Sequence, residues 1–208
     1  MNIWLASGNL NKKAELIDIL KNCGLGHKLL IPQDAGLIFD PAETGNTFFE
    51  NALIKSRELN RLLKERHPSP YETGDPIIAD DSGLCVDDLE GRPGIFSARY
   101  GGKISSKERN ALLLEELWDA ENRKARFVCS MVLLCANDRF FIAQETLEGE
   151  IVKSIDHAAG SGGFGYDPIL YIPQSGRTVA QLSEEEKNLI SHRGKAGKII
   201  AKILAELI

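Results

Sequence analysis

The N-terminal segment constrains the fold more than any other part of the sequence. A short apolar run, residues 3–7, stops at Gly8 and Asn9, and residues 11–22 then place apolar side chains at helical spacing. A second apolar run at residues 27–31 follows this helix. We therefore expect strands and helices to alternate from the start of the chain.

Further along, helical segments give way to antiparallel strands. Thr47 and Glu50 form a capping-box pattern that predicts the start of a long helix. The patterns before residue 105 predict a loop at residues 32–46, a proline-rich segment at 67–76 and a strand at 77–79 that stops at 80–83. A helix is predicted at 105–118, followed by a hairpin of 125–136 and 140–146, which is joined through Asn137-Asp138 and extended by 149–154. The last predicted elements are a glycine-rich loop at 158–168, a strand at 169–172 and a helix from Ser183 to the C-terminus.

These elements define the expected fold class. Early strand–helix alternation followed by a hairpin predicts an α/β protein with a mixed, partly antiparallel central sheet flanked by helices. No internal repeat or flexible linker divides the sequence. We predict a single two-lobed domain over residues 1–208, with a substrate cleft between the lobes.

Composition excludes several classes of protein. The 208 residues are 43% hydrophobic and 26% charged, which is typical of folded globular proteins. A net charge of -5 argues against a broad surface for nucleic acid polymers. No apolar run could span a membrane and no signal peptide is evident, so we expect a cytoplasmic protein. Four cysteines without metal-ligand spacing predict buried reduced thiols.

Two segments have the composition of sites for a phosphorylated ligand. Residues 7–13 combine a strand-to-helix turn with Lys12 and Lys13, which favours an anion, although an N-cap asparagine with two solvated lysines explains the pattern equally well. Asp80 and Asp81 after an apolar strand, together with Glu43, are hard oxygen ligands that suit Mg²⁺ and can activate water. A polar turn with Asx hydrogen bonds is the alternative for residues 80–83.

Two later segments have donors or aromatic rings suited to a nucleobase. Residues 160–165 match G-x-G-x-x-G, but a β-like run follows Pro168 in place of a helix, so the dinucleotide fingerprint fails. A glycine loop with embedded aromatic rings can bring backbone donors to a base, or it can be a tight turn with the rings in the core. Lys187, His192 and Arg193 offer donors to a phosphate or a base carbonyl, and a solvated helix face is their alternative.

A serine hydrolase triad of Asp81, Ser82 and His192 is disfavoured. Adjacent residues in an extended run point to opposite faces, and the G-x-S-x-G elbow is missing from the sequence.

Six blocks in order resemble the inosine triphosphate pyrophosphatase family. They are S-G-N-x-x-K from Ser7, E-T-G-x-T-F-x-E-N-A from Glu43, A-D-D-S-G-L from Ala79, P-G-I-x-S-A-R-Y from Pro93, G-G-F-G-Y-D-P from Gly162, and E-E-K-x-x-I-S-H-R-G from Glu185. Two departures are visible: Ser7 stands where threonine is commoner, and the insert at residues 67–76 is longer than in many relatives.

The resemblance implies hydrolysis of non-standard purine nucleoside triphosphates, such as ITP, dITP and XTP, to the monophosphate and pyrophosphate. It also implies Mg²⁺ as cofactor and a homodimer. Carried onto this sequence, the resemblance implies Asp81 as the catalytic residue and Glu43 and Asp81 as metal ligands, and we add Asp80 to those ligands. The substrate contacts that it implies are Ser7, Gly8, Asn9, Lys12, Lys55, Ser82, Phe164, Gly165, Tyr166, Asp167, Lys187, His192 and Arg193.

Two other functions are compatible with the same residues. One is a nucleotide-binding regulator without turnover, which the carboxylates Glu43, Asp80 and Asp81 argue against because a pure binder needs no water-activating group. The other is a pyrophosphatase for a different nucleotide.

Overall fold

The computed structural model describes residues 2–65 and 74–207. Among them, twelve elements follow one another in the chain. They are β1 (Asn2–Leu5), α1 (Leu10–Asn22), β2 (Lys28–Leu30), α2 (Phe48–Glu65), β3 (Ile77–Val86), α3 (Ser106–Glu116), β4 (Lys124–Leu134), β5 (Phe140–Ile151), β6 (Leu170–Ile172), β7 (Arg177–Thr178), α4 (Glu184–Ile190) and α5 (His192–Leu207).

The strands form one mixed sheet in the order β2-β1-β3-β4-β5-β6-β7. β1 runs parallel to β2 and β3, with Trp4 opposite Leu30 on one side and opposite Ile77 on the other. β6 runs antiparallel to both β5 and β7. The predicted α/β class with a mixed, partly antiparallel sheet is confirmed.

Contacts divide the chain into two compact units. The first comprises Met1–Asp81, Cys129–Glu145 and Arg193–Ile208, and the second comprises Ser82–Val128 and Thr146–His192. β3, β4 and β5 each contribute residues to both units. The single two-lobed domain over residues 1–208 stays a prediction.

In the first unit the sheet is buried on both faces. Alternate residues of a strand point to opposite sides, and continuous apolar strands are typical of such a doubly covered sheet. Ile3 packs with apolar side chains of α1 and α5, whereas Trp4 packs with those of α2. In β3, Ile78 joins the first of these clusters, while Ile77 and Ala79 join the second. This alternation decides where the next two side chains of β3 point.

In the second unit one apolar cluster joins strands, a helix and a loop. Leu84 of β3 and Phe127 of β4 pack with Leu113 of α3 and with Tyr166 and Ile169, which precede β6. The segment before β6 is therefore attached to the core of this unit through buried side chains.

The predicted end of the third strand is wrong. We expected it to stop at residues 80–83, but β3 continues through them to Val86. Polar residues interrupt an apolar pattern without ending a strand when each of them has a buried partner. The turn interpretation of residues 80–83 is wrong for the same reason.

Other predicted elements differ in extent. The last helix is two helices, α4 and α5, separated at Ser191, whose backbone is extended. β5 includes the predicted hairpin strand and the first half of its extension, and its turn contains Asn137 and Asp138, both with positive φ. Most of the proline-rich segment 67–76 lies outside the described residues.

The cysteine prediction is confirmed in part. All four thiols are free, but only Cys129 is buried, and Cys23 is exposed. Within residues 2–65 and 74–207, every helix is too short or too polar to cross a bilayer.

Candidate functional site

The turn before α1 is held by its own side chains. Asn9 Oδ1 accepts hydrogen bonds from the backbone N–H groups of Asn11 (2.9 Å) and Lys12 (3.3 Å), and Ser7 Oγ accepts from Asn9 N–H (3.1 Å). Asn9 is thus the N-cap. Lys12 is not simply solvated, because its Nζ lies 2.9 Å from Asp80 Oδ2.

Lys55 of α2 joins two carboxylates from distant parts of the sequence. Its Nζ lies 2.8 Å from Asp81 Oδ1 and 3.1 Å from Glu43 Oε1. Burial lowers the pKa of Lys55, but the negative charges of Asp81, Asp80 and Glu43 outweigh that effect and raise the pKa above its ordinary value. Lys55 is therefore a permanent cation between two carboxylates.

Asp80 is bound by two cations. Its Oδ2 accepts from Arg193 Nη2 (3.1 Å) and Nε (3.2 Å) and lies 2.9 Å from Lys12 Nζ. Arg193 also donates through Nη1 to Glu15 Oε2 at 2.7 Å. Burial by itself raises the pKa of Asp80, but the charges of Lys12, Arg193 and Lys55 outweigh it and hold the pKa well below its usual range. We call the eight residues of this region the carboxylate cluster: Lys12, Glu15, Glu43, Asn51, Lys55, Asp80, Asp81 and Arg193.

The two adjacent aspartates have different partners because they lie on a strand. Asp80 follows Ile78 on the sheet face packed against α1 and α5, whereas Asp81 follows Ala79 on the face packed against α2. Lys55 reaches Asp81 from α2, and Lys12 reaches Asp80 from α1. Neighbours in sequence are therefore separated into two charge groups.

Part of the carboxylate cluster has the donors that a divalent ion requires. Among the described residues, no three or more His, Cys, Asp and Glu side chains are grouped as a complete metal site. Glu43 and Asp81 nevertheless converge on one cation, the Lys55 ammonium, at 3.1 and 2.8 Å. Two carboxylate oxygens that share a cation are the hard donors that Mg²⁺ prefers, so this pair fits as part of its ligand set.

The glycine loop forms a second cluster, within the second unit. Asp167 Oδ2 accepts from Phe164 N–H at 2.8 Å and from Lys187 Nζ at 3.0 Å, and Lys187 Nζ lies 4.9 Å from the centre of the Phe164 ring. A Cβ on Gly163 would lie 2.0 Å from Asp167 Oδ2, so only glycine permits this approach. We call Phe164, Gly165, Tyr166, Asp167 and Lys187 the glycine-loop cluster.

The two aromatic rings of the glycine loop differ in burial. Tyr166 is buried in the core of the second unit, where its hydroxyl donates to Ser97 O at 3.0 Å. Burial raises the pKa of Tyr166, which keeps that hydroxyl protonated. Phe164 is only partly buried and carries the cation of Lys187 over its face. Of these two rings, Phe164 is therefore the one whose surface is accessible to a ligand.

The solvated-face interpretation of the last motif is wrong. Lys187, His192 and Arg193 are 7%, 6% and 3% exposed. The His192 ring stacks on Phe127 with 4.9 Å between ring centres, while Arg193 joins the carboxylate cluster of the first unit. Ser82, the next residue after Asp81 in β3, belongs to the second unit.

Sequence reasoning missed four residues that hold these clusters. Glu15 binds Arg193, Asn51 binds Asp81, Asn110 Nδ2 donates to Gly165 O at 3.1 Å, and Ser97 accepts from Tyr166. Glu15 and Asn51 had a usable signal, because each lies three or four residues from a predicted site lysine on one helix face. Asn110 and Ser97 had no such local signal.

The capping box of α4 supplies a pH-dependent prediction. Hydrogen bonds from Arg177 and from Ser183 lower the pKa of Glu186 from 4.5 to about 2. Because the pKa of Glu186 is lower in the folded state than in the unfolded state, its ionised carboxylate stabilises the fold above pH 4.5. That stabilisation is lost as the pH falls towards 2. We expect the carboxyl ¹³C resonance of Glu186 to titrate near pH 2 in the parent and at a higher pH in Arg177→Gln, which lacks the largest cause of the lowered pKa. A resonance unmoved by Arg177→Gln would contradict the assigned cause.

The fold and the clusters define the class: an α/β protein with a mixed sheet in which strand β3 carries two adjacent buried aspartates that are bound by cations. A model described as the Ham1 family matches residues 3–203. The chain belongs to the Ham1 family, and the predicted family membership is confirmed.

Relatives agree over nearly their whole length. A dITP/XTP pyrophosphatase of Treponema denticola is 48% identical over 200 residues, which cover 94% of each chain. The dITP/XTP pyrophosphatase of Streptomyces coelicolor is 43% identical over 208 residues, covering 98% of this chain and 97% of its own. The solved structure of the Staphylococcus aureus Ham1 protein superposes with a TM-score of 0.83 at 35% identity and covers both chains completely.

Proposed function

We propose that this protein hydrolyses non-standard purine nucleoside triphosphates, namely ITP, dITP and XTP, to the nucleoside monophosphate and pyrophosphate. The observation that carries the proposal is the convergence of Glu43 and Asp81 on Lys55, in a chain whose relatives are named dITP/XTP pyrophosphatases. Removing such nucleotides cleanses the pool from which nucleic acids are made.

Glu43 and Asp81 are the proposed ligands of Mg²⁺. When bound, this ion neutralises phosphate charge and lowers the pKa of a coordinated water. Asp80 was predicted as a third ligand, but its Oδ2 is bound by Lys12 and Arg193 on the other sheet face. We therefore assign to Asp80 the role of holding Lys12 and Arg193, and to Asp81 the catalytic role.

Hydrolysis requires an activated water and a stabilised leaving group. In the proposed step, Asp81 orients a water molecule and accepts its proton as the oxygen attacks the α-phosphorus. The bond from that phosphorus to the bridging oxygen breaks, and pyrophosphate leaves with the bridging oxygen. Lys12 and the positive N-terminal end of α1, which follows the turn of Ser7, Gly8 and Asn9, stabilise its charge. Lys55, which already lies between the carboxylates, is available to the phosphates.

The glycine-loop cluster is the proposed base site. Phe164 presents a partly exposed ring that can stack on a purine, and Lys187 next to it is a donor for the 6-keto oxygen that distinguishes hypoxanthine and xanthine from adenine. A donor left unpaired by ATP disfavours that nucleotide. Gly165, Tyr166, Asp167, His192 and Arg193 complete the proposed set.

The proposed contribution of Arg193 to base selection can be tested by substitution. Its donors are held by Asp80 and Glu15, so a direct base contact requires that it exchange one of them for the purine. Arg193→Lys keeps the charge beside Asp80 but loses the planar fork. We expect the ratio of kcat/KM for ITP to that for ATP to fall about tenfold, the scale of one lost hydrogen bond. If steady-state kinetics show an unchanged ratio, Arg193 has no role in selectivity.

Product identification tests the proposed function itself. The protein is mixed with Mg²⁺ and ITP, dITP, XTP, GTP or ATP in parallel, and pyrophosphate is resolved from orthophosphate. We expect monophosphate and pyrophosphate from ITP, dITP and XTP, with little from ATP or GTP. Orthophosphate alone would mean that a different bond is cut, binding without product would indicate a regulator, and turnover of another base would indicate a retargeted pyrophosphatase.

We also propose a homodimer, which the resemblance to the inosine triphosphate pyrophosphatase family implies, and a cytoplasmic location. Light scattering during size-exclusion chromatography checks the assembly, because a dimer has twice the 22.9 kDa mass of the chain.

A further inference from the structure

We propose that Asn51 is a positioning residue that ties Asp81 and the segment carrying Glu43 to helix α2. Its side chain is fully buried. The Nδ2 atom donates to Asp81 Oδ2 at 3.3 Å, and the Oδ1 atom accepts from the backbone N–H of Gly45 at 2.9 Å. One side chain therefore contacts the proposed catalytic carboxylate and the loop that bears the proposed second metal ligand.

The chemistry of the amide suits both contacts. An ionised carboxylate only accepts hydrogen bonds and a backbone N–H only donates, so a side chain that bridges them must offer one donor and one acceptor. The carboxamide of Asn51 offers both from a single planar group. Aspartate would keep the acceptor for Gly45 but present negative charge to Asp81, and leucine of similar size would do neither.

Asn51 and Lys55 act from the same face of α2, one helical turn apart. Lys55 Nζ contacts Asp81 Oδ1, while Asn51 contacts Asp81 Oδ2. Both carboxylate oxygens thus have a partner on one rigid helix, which restricts rotation of the Asp81 side chain. A general base must hold its oxygen within hydrogen-bond reach of the attacking water, so this restriction is of direct use to the reaction.

The close approach of Gly45 to α2 supports the same contact. A Cβ added to Gly45 would lie 2.8 Å from Asn51 Oδ1, 2.6 Å from Glu50 Cβ and 3.0 Å from Asn51 N. The backbone therefore approaches α2 more closely than any other residue type permits. Glu50 accepts from the N–H groups of Asn46 (2.6 Å) and Thr47 (3.1 Å), which anchors the same segment from the helix start. The loop that leads from Glu43 into α2 is built onto the helix around Asn51.

The inference rests on the proposed function, and it deepens that function by separating orientation from substrate binding. Asn51 acts through Asp81 and is not itself a contact of the substrate. Replacing it should lower kcat about 10- to 100-fold, the usual effect of losing a group that orients a ligand or base, and leave KM nearly unchanged.

The experiment compares three variants with a matched control. Asn51→Leu removes both contacts, Asn51→Asp keeps only the acceptor for Gly45, and Gly45→Ala forces the loop away from Asn51. Ser56→Ala is the control, because Ser56 is equally buried on α2 and donates within its own helix, to Leu53 O at 2.9 Å. Circular dichroism and thermal melts establish that each variant is folded. Steady-state kinetics with ITP give kcat and KM, and electron paramagnetic resonance gives Mn²⁺ affinity without nucleotide.

The expected pattern is specific to positioning. Asn51→Leu and Asn51→Asp lower kcat at least tenfold with KM within about threefold, and Ser56→Ala stays within twofold of the parent. Folded Asn51 variants with kcat within twofold of the parent overturn the proposal, and so does a rise in KM at unchanged kcat. If Asn51→Leu does not fold, Asn51→Asp decides. If the parent itself makes no pyrophosphate, the proposed function fails, and Mn²⁺ affinity then tests the positioning role of Asn51. Weaker Mn²⁺ binding by folded Asn51→Leu or Gly45→Ala supports the placement of Glu43 and Asp81 by Asn51. Unchanged Mn²⁺ binding overturns it.

Discussion

Asp81→Asn is expected to lower kcat for ITP by about a thousandfold while the protein stays folded, within the range found when a general base is removed. The amide oxygen of the new side chain still accepts from Lys55 Nζ, which lies 2.8 Å from Asp81 Oδ1 in the parent. Glu43 still pairs with the same ammonium, so Lys55 is not left as an unpaired buried cation. The amide, however, accepts no proton from water at neutral pH.

Initial rates of pyrophosphate release from ITP measure this loss, with a circular dichroism spectrum as the check of folding. Asp88→Asn serves as the control, because Asp88 is an exposed carboxylate that follows the same strand. Turnover by folded Asp81→Asn at more than a tenth of the parent rate would remove Asp81 from the catalytic role.

Asp80→Asn is expected to act on stability. We expect the free energy of unfolding to fall by about 3–5 kcal/mol, the typical cost of removing one partner from a buried ion pair. Arg193 is 3% exposed and would lose the carboxylate that accepts from its Nε and Nη2, while its pair with Glu15 would stay. Lys12 would lose the carboxylate that lies 2.9 Å away.

Urea unfolding followed by fluorescence measures this difference. Asp138→Asn is the matched control, since Asp138 pairs with Arg57 at the surface and both side chains are about half exposed. An exposed pair contributes about 0–1 kcal/mol, so this control should change stability little. An Asp80→Asn variant that is within 1 kcal/mol of the parent would show that the charges of half-buried Lys12 and buried Arg193 need no carboxylate there.

The two aspartates show what pattern reasoning can and cannot provide. The motif A-D-D-S-G-L placed both carboxylates after an apolar run, but it did not say which of them meets which cation. In the structure the strand continues through them, and the alternation of its side chains sends Asp80 towards Lys12 and Arg193 and Asp81 towards Lys55. The strand end was mispredicted because buried partners from other elements are invisible in a local window.

Local signals were reliable where one or two turns of chain decide the structure. The capping boxes at Thr47–Glu50 and Ser183–Glu186 both form as the spacing predicts. The N-cap of α1 is Asn9, in agreement with the capping asparagine that the pattern of residues 7–13 allowed. The break at Ser191 between α4 and α5 was missed, because neither glycine nor proline marks it in the sequence.

The sequence by itself determined the α/β class, the order of most elements, the helix caps and the family, because all of these depend on residue patterns read along the chain. Only the tertiary structure decided the charge partners. Arg193 meets Asp80 across 113 residues of sequence, and Lys55 meets Asp81 across 26. Such contacts form when packing brings distant elements together, and they are stable because a buried charge without a partner is costly.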